Sequence, residues 1–177
     1  TYGPLDLFDY YFEHKRQQLL AMEESKKAIR QVFDEFSKIT GKTYDFFEGY
    51  MLEGAEKIIM CSNSSAGSTR VVVDELRAKG EKVGLVNVHL YRPFSPKYFF
   101  DIFPDSVKKI TVLDRAKEPG ATGEPLYLDI VDLFYGTDRK PLIIGGRYGL
   151  SSKDTTPSQI LSVFENMKVK EPKHLFT

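Results

Sequence analysis

A chain of 177 residues is the size of one domain, and a hydrophobic content of 41% with 13 phenylalanines and 10 tyrosines is enough for an ordinary buried core, which excludes a disordered chain. Lysine plus arginine and aspartate plus glutamate both number 25, so no net field gathers phosphate polymers, no basic run restores one locally, and nucleic acid is not an expected partner. No apolar stretch approaches the roughly 20 residues of a membrane helix, and the start lacks the sections of a secretory signal; the chain reads as soluble and cytoplasmic, with no membrane partner.

From about Phe8 to Ile39 no proline or glycine interrupts a run of good helix formers, in which Leu19, Met22, Ile29, Val32, Phe33, Phe36 and Ile39 recur at near-helical spacing. Gly41 supplies the stop. Such a stripe has to be covered, either by folding back on its own domain or by bridging to a neighbour. Residues 1–42 therefore read as a connector carrying a long helix, and residues 43–177 as the domain proper.

After a short linker through Tyr44, Phe46 and Phe47 the pattern alternates. Lys57–Asn63 reads as strand, Thr69–Lys79 as helix and Lys82–Tyr91 as strand. Ser95-Pro96 supplies an N-cap and a first-turn proline for a helix through Tyr98, Phe99 and Ile102. Ile110–Asp114 follows as strand, Leu126–Phe134 as helix, Leu142–Gly145 as strand, and Thr156-Pro157 opens a last helix through Ile160, Leu161, Val163 and Phe164. Strand and helix alternating four times predict an α/β fold: a mostly parallel sheet with helices on both faces and crossovers of one hand.

In such sheets ligands sit beyond the carboxyl ends of the strands, which directs attention to Ser62–Ser68, Arg92–Ser95, Arg115–Glu124 and Gly145–Lys153. The serine-rich loop can be an anion site or merely a capped turn, and it lacks both G-x-G-x-x-G spacing and a phosphate-loop lysine. Between the strand through Leu113 and the helix from Leu126, two glycines and two prolines constrain a turn that presents Arg115, Lys117, Glu118 and Glu124. Arg147, beside Tyr148 in a glycine-rich turn, offers a planar fork for a carboxylate or phosphate. Arg115 and Arg147 either pair internally with Glu118, Glu124 or Asp114, or meet another domain. Glu118 and Glu124 are expected to be solvated, as carboxylates in a charged loop usually are, and not to form an acid–base pair.

Cys61, in Ile58-Ile-Met-Cys61, reads as a buried strand thiol, and one cysteine makes no internal disulfide and no iron–sulfur cluster. His14, His89 and His174 lie in unlike settings with no metal-ligand spacing. No hydrolase elbow is present. No catalytic, cofactor-binding or metal residue is therefore assigned. Arg92, Arg115, Lys117, Glu118, Glu124, Arg147 and Tyr148 are the candidates for interface or ligand contact.

The segments Leu-Tyr-Arg-Pro-Phe-Ser (Leu90–Ser95), Val-Leu-Asp-Arg-Ala-Lys-Glu-Pro-Gly-Ala-Thr-Gly-Glu-Pro-Leu-Tyr-Leu-Asp (Val112–Asp129) and Ile-Gly-Gly-Arg-Tyr-Gly-Leu-Ser-Ser-Lys (Ile144–Lys153) are much more specific together, in this order and spacing, than singly. They resemble the pyruvate:ferredoxin oxidoreductase family of 2-oxoacid oxidoreductases. The resemblance covers about Thr43 to Met167 and corresponds to the part of the alpha subunit, or of the single-chain form, that is similar to the C-terminal domain of transketolase. The stretch Tyr2–Gln18 is similar to the segment leading out of the preceding cofactor-pyrimidine domain, and upstream of Thr43 the chain looks closer to the separate alpha subunit. The resemblance implies an enzyme that decarboxylates a 2-oxoacid on thiamine diphosphate, passes electrons through iron–sulfur clusters to ferredoxin and transfers the acyl group to coenzyme A. It also implies that the diphosphate and magnesium motif, the activating glutamate and the cluster cysteines lie elsewhere, so that this piece binds no cofactor, is inert alone and serves domain or subunit assembly. Ferredoxin and coenzyme A are then met only by the intact enzyme. A start at threonine within the family pattern fits a piece of a longer protein. A different class of reading is a small-ligand module in which Ser62–Ser68 and the Gly145-Gly146-Arg147 turn grip a phosphate or coenzyme A; a relative acting on another 2-oxoacid such as oxalate is the third.

Overall fold

The computed structural model describes residues 5–177; the first residues of the stretch likened to a domain connector, Tyr2 to Pro4, lie outside the described residues. The chain forms two compact units, Thr1–Asp45 with Leu90–Phe94, and Phe46–His89 with Ser95–Thr177.

The first unit is dominated by helix α1, Tyr11–Thr40. Leu7–Tyr10 make a turn instead of its first residues, with the Tyr10 and Tyr11 N–H groups donating to the Leu7 carbonyl at 3.2 and 3.1 Å. Gly41 ends the helix in the left-handed conformation at φ 70°, a backbone that costs glycine least, and its N–H reaches the Ser37 carbonyl. Lys26 and Lys27 pair with Glu23 and Glu24 one turn earlier at 2.5 and 2.6 Å, the spacing that lends an exposed helix a few tenths of a kcal/mol per pair. No residue of α1 is buried. Phe33 and Phe36 meet the Tyr44 ring at 6.3 and 5.7 Å, and Arg30 pairs with Asp45, whereas Leu19, Val32 and Ile39 are 52, 60 and 82% exposed.

The second unit is a five-stranded sheet, β1 (Phe47–Tyr50), β2 (Lys57–Ser62), β3 (Val83–Val88), β4 (Lys109–Asp114) and β5 (Leu142–Arg147), in the order β1-β3-β2-β4-β5. All pairings are parallel except that of β1 with β3. Four helices, α2 (Ser65–Ala78), α3 (Pro96–Ile102), α4 (Pro125–Tyr135) and α5 (Pro157–Asn166), alternate with the strands as their periodicity demands. On one face Val72, Val73 and Leu76 of α2 and Ile160, Val163 and Phe164 of α5 pack with Ile59, Cys61, Leu85, Leu113 and Ile144. On the other, Phe99 of α3 stacks on Phe103 at 5.1 Å and meets Phe47 and, from α4, Phe134 edge-on at 5.7 and 5.9 Å. The α/β fold with helices on both faces is thus as the alternation required.

Besides the later start of α1, the strand expected over Lys82–Tyr91 ends at Val88, and two further local features differ from the sequence reading. The linker before Lys57 contains a strand, β1, whose four residues Phe-Glu-Gly-Tyr are too few and too mixed for periodicity to register. Helix α2 starts at Ser65 rather than Thr69, because the Ser65 and Thr69 hydroxyls turn back to the Ser62 and Ser65 carbonyls, each at 2.8 Å, and do not compete with the helix from outside it. Chain order reverses direction across β2: β3 lies on one side and β4 on the other, which opens a crevice between the loops that follow β2 and β4.

Candidate functional site

The carboxyl ends of β4 and β5 carry most of the candidate residues. The Asp114 carboxylate, at the end of β4, accepts the Leu126 and Tyr127 N–H groups at 2.9 and 3.0 Å and so fastens the start of α4. Burial pushes its pKa up and the two N–H donors only partly offset this. Ten residues beyond Asp114, Glu124 is 1% exposed. Its carboxylate accepts the Arg147 Nε at 2.5 Å, the Glu118 N–H at 2.7 Å and the Lys117 Nζ at 3.3 Å. Burial raises its pKa, and the Arg147, Glu118 and Lys117 donors together outweigh burial and hold it below the ordinary carboxylate value.

The expectation that both glutamates are solvated therefore holds for Glu118, whose side chain is exposed, and fails for Glu124. The reason is long-range: the guanidinium that compensates the buried charge arrives from β5, 23 residues away. Arg147 also donates Nη1 to the Leu175 carbonyl at 2.5 Å, and its N–H bonds the Phe176 carbonyl at 2.8 Å, so the planar fork closes the molecule on itself. Arg115 chooses a carbonyl over an acid, its Nε donating to Gly149 at 2.9 Å. Tyr148 joins β5 to the serine loop: its hydroxyl donates to the Ser62 carbonyl at 3.3 Å and lies 3.1 Å from Ser65 Oγ, whose own proton goes to the same carbonyl. Arg92 lies in the first unit, where its guanidinium sits 4.0 Å over the neighbouring Tyr91 ring.

Cys61 is fully buried, and burial pushes its thiol pKa up, which suits an inert core thiol. Among the described residues no grouping of three or more His, Cys, Asp or Glu side chains can hold a metal ion. An iron–sulfur cluster takes about four thiolates, and magnesium needs carboxylates it can share. The single cysteine of this chain does not meet the first of these needs. Among the described residues no helix is long and apolar enough to cross a membrane.

Fold and site together define a mainly parallel α/β domain whose strand-end loops are fastened by an internal charge network. Residues 55–160 match the family model described as pyruvate:ferredoxin oxidoreductase core domain II. The chain belongs to that family. It is 42% identical over 169 residues to a pyruvate-flavodoxin oxidoreductase of Enterobacter agglomerans, with 96% of this chain and 14% of that protein covered. It is 41% identical over 166 residues to the PorA subunit of pyruvate synthase from Thermotoga maritima, covering 94% of this chain and 42% of that one. The chain thus spans about one seventh of the first relative's length and under half of the second's. Among solved structures it is similar to 2-oxoglutarate:ferredoxin oxidoreductase from Magnetococcus marinus, with TM-score 0.51 and 26% identity over 69% of this chain and 19% of that one. That structure holds 2-oxoglutarate, coenzyme A and succinyl-CoA.

Proposed function

We propose that this chain is the assembly domain of a 2-oxoacid oxidoreductase that converts pyruvate, coenzyme A and an oxidised ferredoxin or flavodoxin to acetyl-CoA, carbon dioxide and the reduced carrier. Thiamine diphosphate, magnesium and iron–sulfur clusters belong to the rest of that enzyme, in the cytoplasm, and this domain contributes rigidity and contact surface. Residues 1–42 act as the connector and residues 43–177 as the domain it joins. Arg115, Lys117, Glu118, Arg92 and Tyr148 lie on loops that face other parts of the assembly, and Glu124 and Arg147 keep two of those loops in shape.

The observation that carries this reading is the exposure of large apolar side chains along α1. Leu19, Val32 and Ile39 are each more than half exposed on a helix without a single buried residue, in a family whose members extend well beyond this domain. Apolar side chains in that number on one helix are normally covered in the working protein. The test is complementation. An oxidoreductase lacking this region, supplied with the 177-residue chain, should regain coenzyme-A-dependent pyruvate oxidation and co-sediment with it. Decarboxylation of pyruvate by the chain alone, or its failure to associate, would overturn the reading.

A further inference from the structure

Within the second unit two clefts adjoin at the carboxyl ends of β2, β4 and β5. The first, of about 250 Å³, is polar and lined by Ser64, Ser65 and Ser68 of the α2 start, Arg115 after β4, and Ser152 and Lys153 after β5. The second, of about 200 Å³, lies beside α5 and is lined by Leu113, Leu150, Ile160, Val163 and Phe176. Tyr148, Gly149, Lys153, Asp154 and Thr155 border both, so the two form one recess with a cationic end and an apolar end.

Three properties of this recess point to a ligand. It occupies the crevice between the loops after β2 and β4, where the strand order reverses, which is where open α/β sheets hold their ligands. Its cations have spare capacity: Arg115 spends Nε on the Gly149 carbonyl, while neither its Nη atoms nor the Lys153 Nζ meets a carboxylate among the described residues. Its two clefts, of about 250 and 200 Å³, lie side by side, and an apolar lining with a few convergent polar groups is the usual make-up of small-molecule sites. The backbone at the α2 start is not the source of attraction, since the Ala66 and Gly67 N–H groups already bond the Asn63 and Ser64 carbonyls at 3.1 and 3.0 Å.

We propose that this recess binds a small organic phosphate, with the phosphate held by Arg115 and Lys153 and the hydroxyls of Ser64 and Ser68, and with an apolar ring lodged between Ile160, Val163 and Phe176. A guanidinium, an ammonium and two hydroxyls offer more donors than the two oxygens of a carboxylate accept; a phosphate monoester presents three oxygens and nearly two charges. Asp154 is the one acid bordering the recess, and it opposes the anion and sets a limit on affinity. Arg147, the arginine that the sequence singled out for such a role, is committed to Glu124 and leaves it to Arg115 and Lys153.

The probe is 1-naphthyl phosphate, titrated into the ¹⁵N-labelled chain and followed by amide chemical shifts. Saturable shifts are expected at Ser64–Ser68 and Gly149–Thr155, with affinity falling about tenfold in Arg115→Gln and in Lys153→Gln and rising in Asp154→Asn. Lys153 and Asp154 are exposed, so those two variants keep the test sound if Arg115→Gln loosens the Gly149 turn. Absence of shifts at millimolar probe, shifts that ignore Lys153→Gln and Asp154→Asn, or equal binding of 1-naphthoate would each overturn the proposal. None of these outcomes bears on complementation, which rests on α1.

Discussion

A carboxylate that is 1% exposed and holds three donors is stable only while all of them stay. Glu124→Ala strands the Arg147 guanidinium and the Glu118 N–H, and should cost about 3 kcal/mol in urea unfolding, because a buried charge then lacks its partner. Replacing both members, Glu124→Leu with Arg147→Met, should recover part of that loss, since no buried charge is then unpaired; Lys117 is exposed and turns to water, and the Glu118 N–H alone loses its acceptor. The pH dependence has a definite sign. Glu124 is held below its ordinary value of 4.5, so its contribution is present above pH 4.5 and is lost as pH falls through the folded value. Asp114 runs the other way: raised above 3.8 by burial, it favours the fold when protonated, and that contribution disappears as pH rises through the folded value. Glu56 offers a cleaner readout. Hydrogen bonds from Lys108 and then Lys82, both at 3.0 Å, bring its pKa down to about 2. Its side-chain carboxyl resonance should titrate with a midpoint near that value, and in Lys108→Met the midpoint should rise towards 4.5.

At the level of strands and helices, glycines in regular structure separate by what surrounds them. In β3, a Cβ added to Gly84 would lie 2.8 Å from the Met51 carbonyl oxygen and 3.1 Å from that of Tyr50, both backbone atoms that cannot step aside. Gly84→Ala should therefore cost roughly 1–3 kcal/mol in equilibrium unfolding. Gly67 of α2 has nothing within 4 Å of the same position, so Gly67→Ala should be neutral or stabilise by about 0.5 kcal/mol, through helix propensity alone. Equal costs at the two sites would contradict this account of β3. The order of elements was legible because short continuous apolar runs such as that in Lys57–Ser62 and near-helical spacing in α4 and α5 are local signals. The Thr156 cap was legible too, and the structure completes it with Gln159, whose side chain accepts the Thr156 N–H at 2.9 Å. What escaped was set by distance in the chain. Strand β1 exists because its backbone pairs with β3, from Phe47 against Val88 to Tyr50 against Leu85. The burial of Glu124 depends on Arg147, and the role of Lys153 depends on where η1, Leu150–Ser152, turns the chain.

On the scale of the molecule, the family and the exposed apolar side chains of α1 make one expectation sharp. If α1 serves contact, then charges placed on its exposed apolar positions should abolish association without unfolding the chain. Val32→Lys with Ile39→Lys suits this test, because both side chains are more than half exposed, whereas Phe33 and Phe36 meet Tyr44 and would report on the first unit's own packing. Surface changes away from packed groups ordinarily alter stability by about 0.5 kcal/mol or less, so the urea midpoint should hardly move. Two ammonium groups forced into an apolar contact cost several kcal/mol, enough to weaken association by a factor of a hundred or more. The double variant should then remain helical and folded, yet fail to restore pyruvate oxidation to an oxidoreductase lacking this region. A control at Val71 of α2, 58% exposed in the second unit, should complement normally as Val71→Lys. Full complementation by the α1 variant would move the contact from α1 to the loops that carry Lys117 and Glu118, and a loss shared equally by both variants would point to a general effect of added charge.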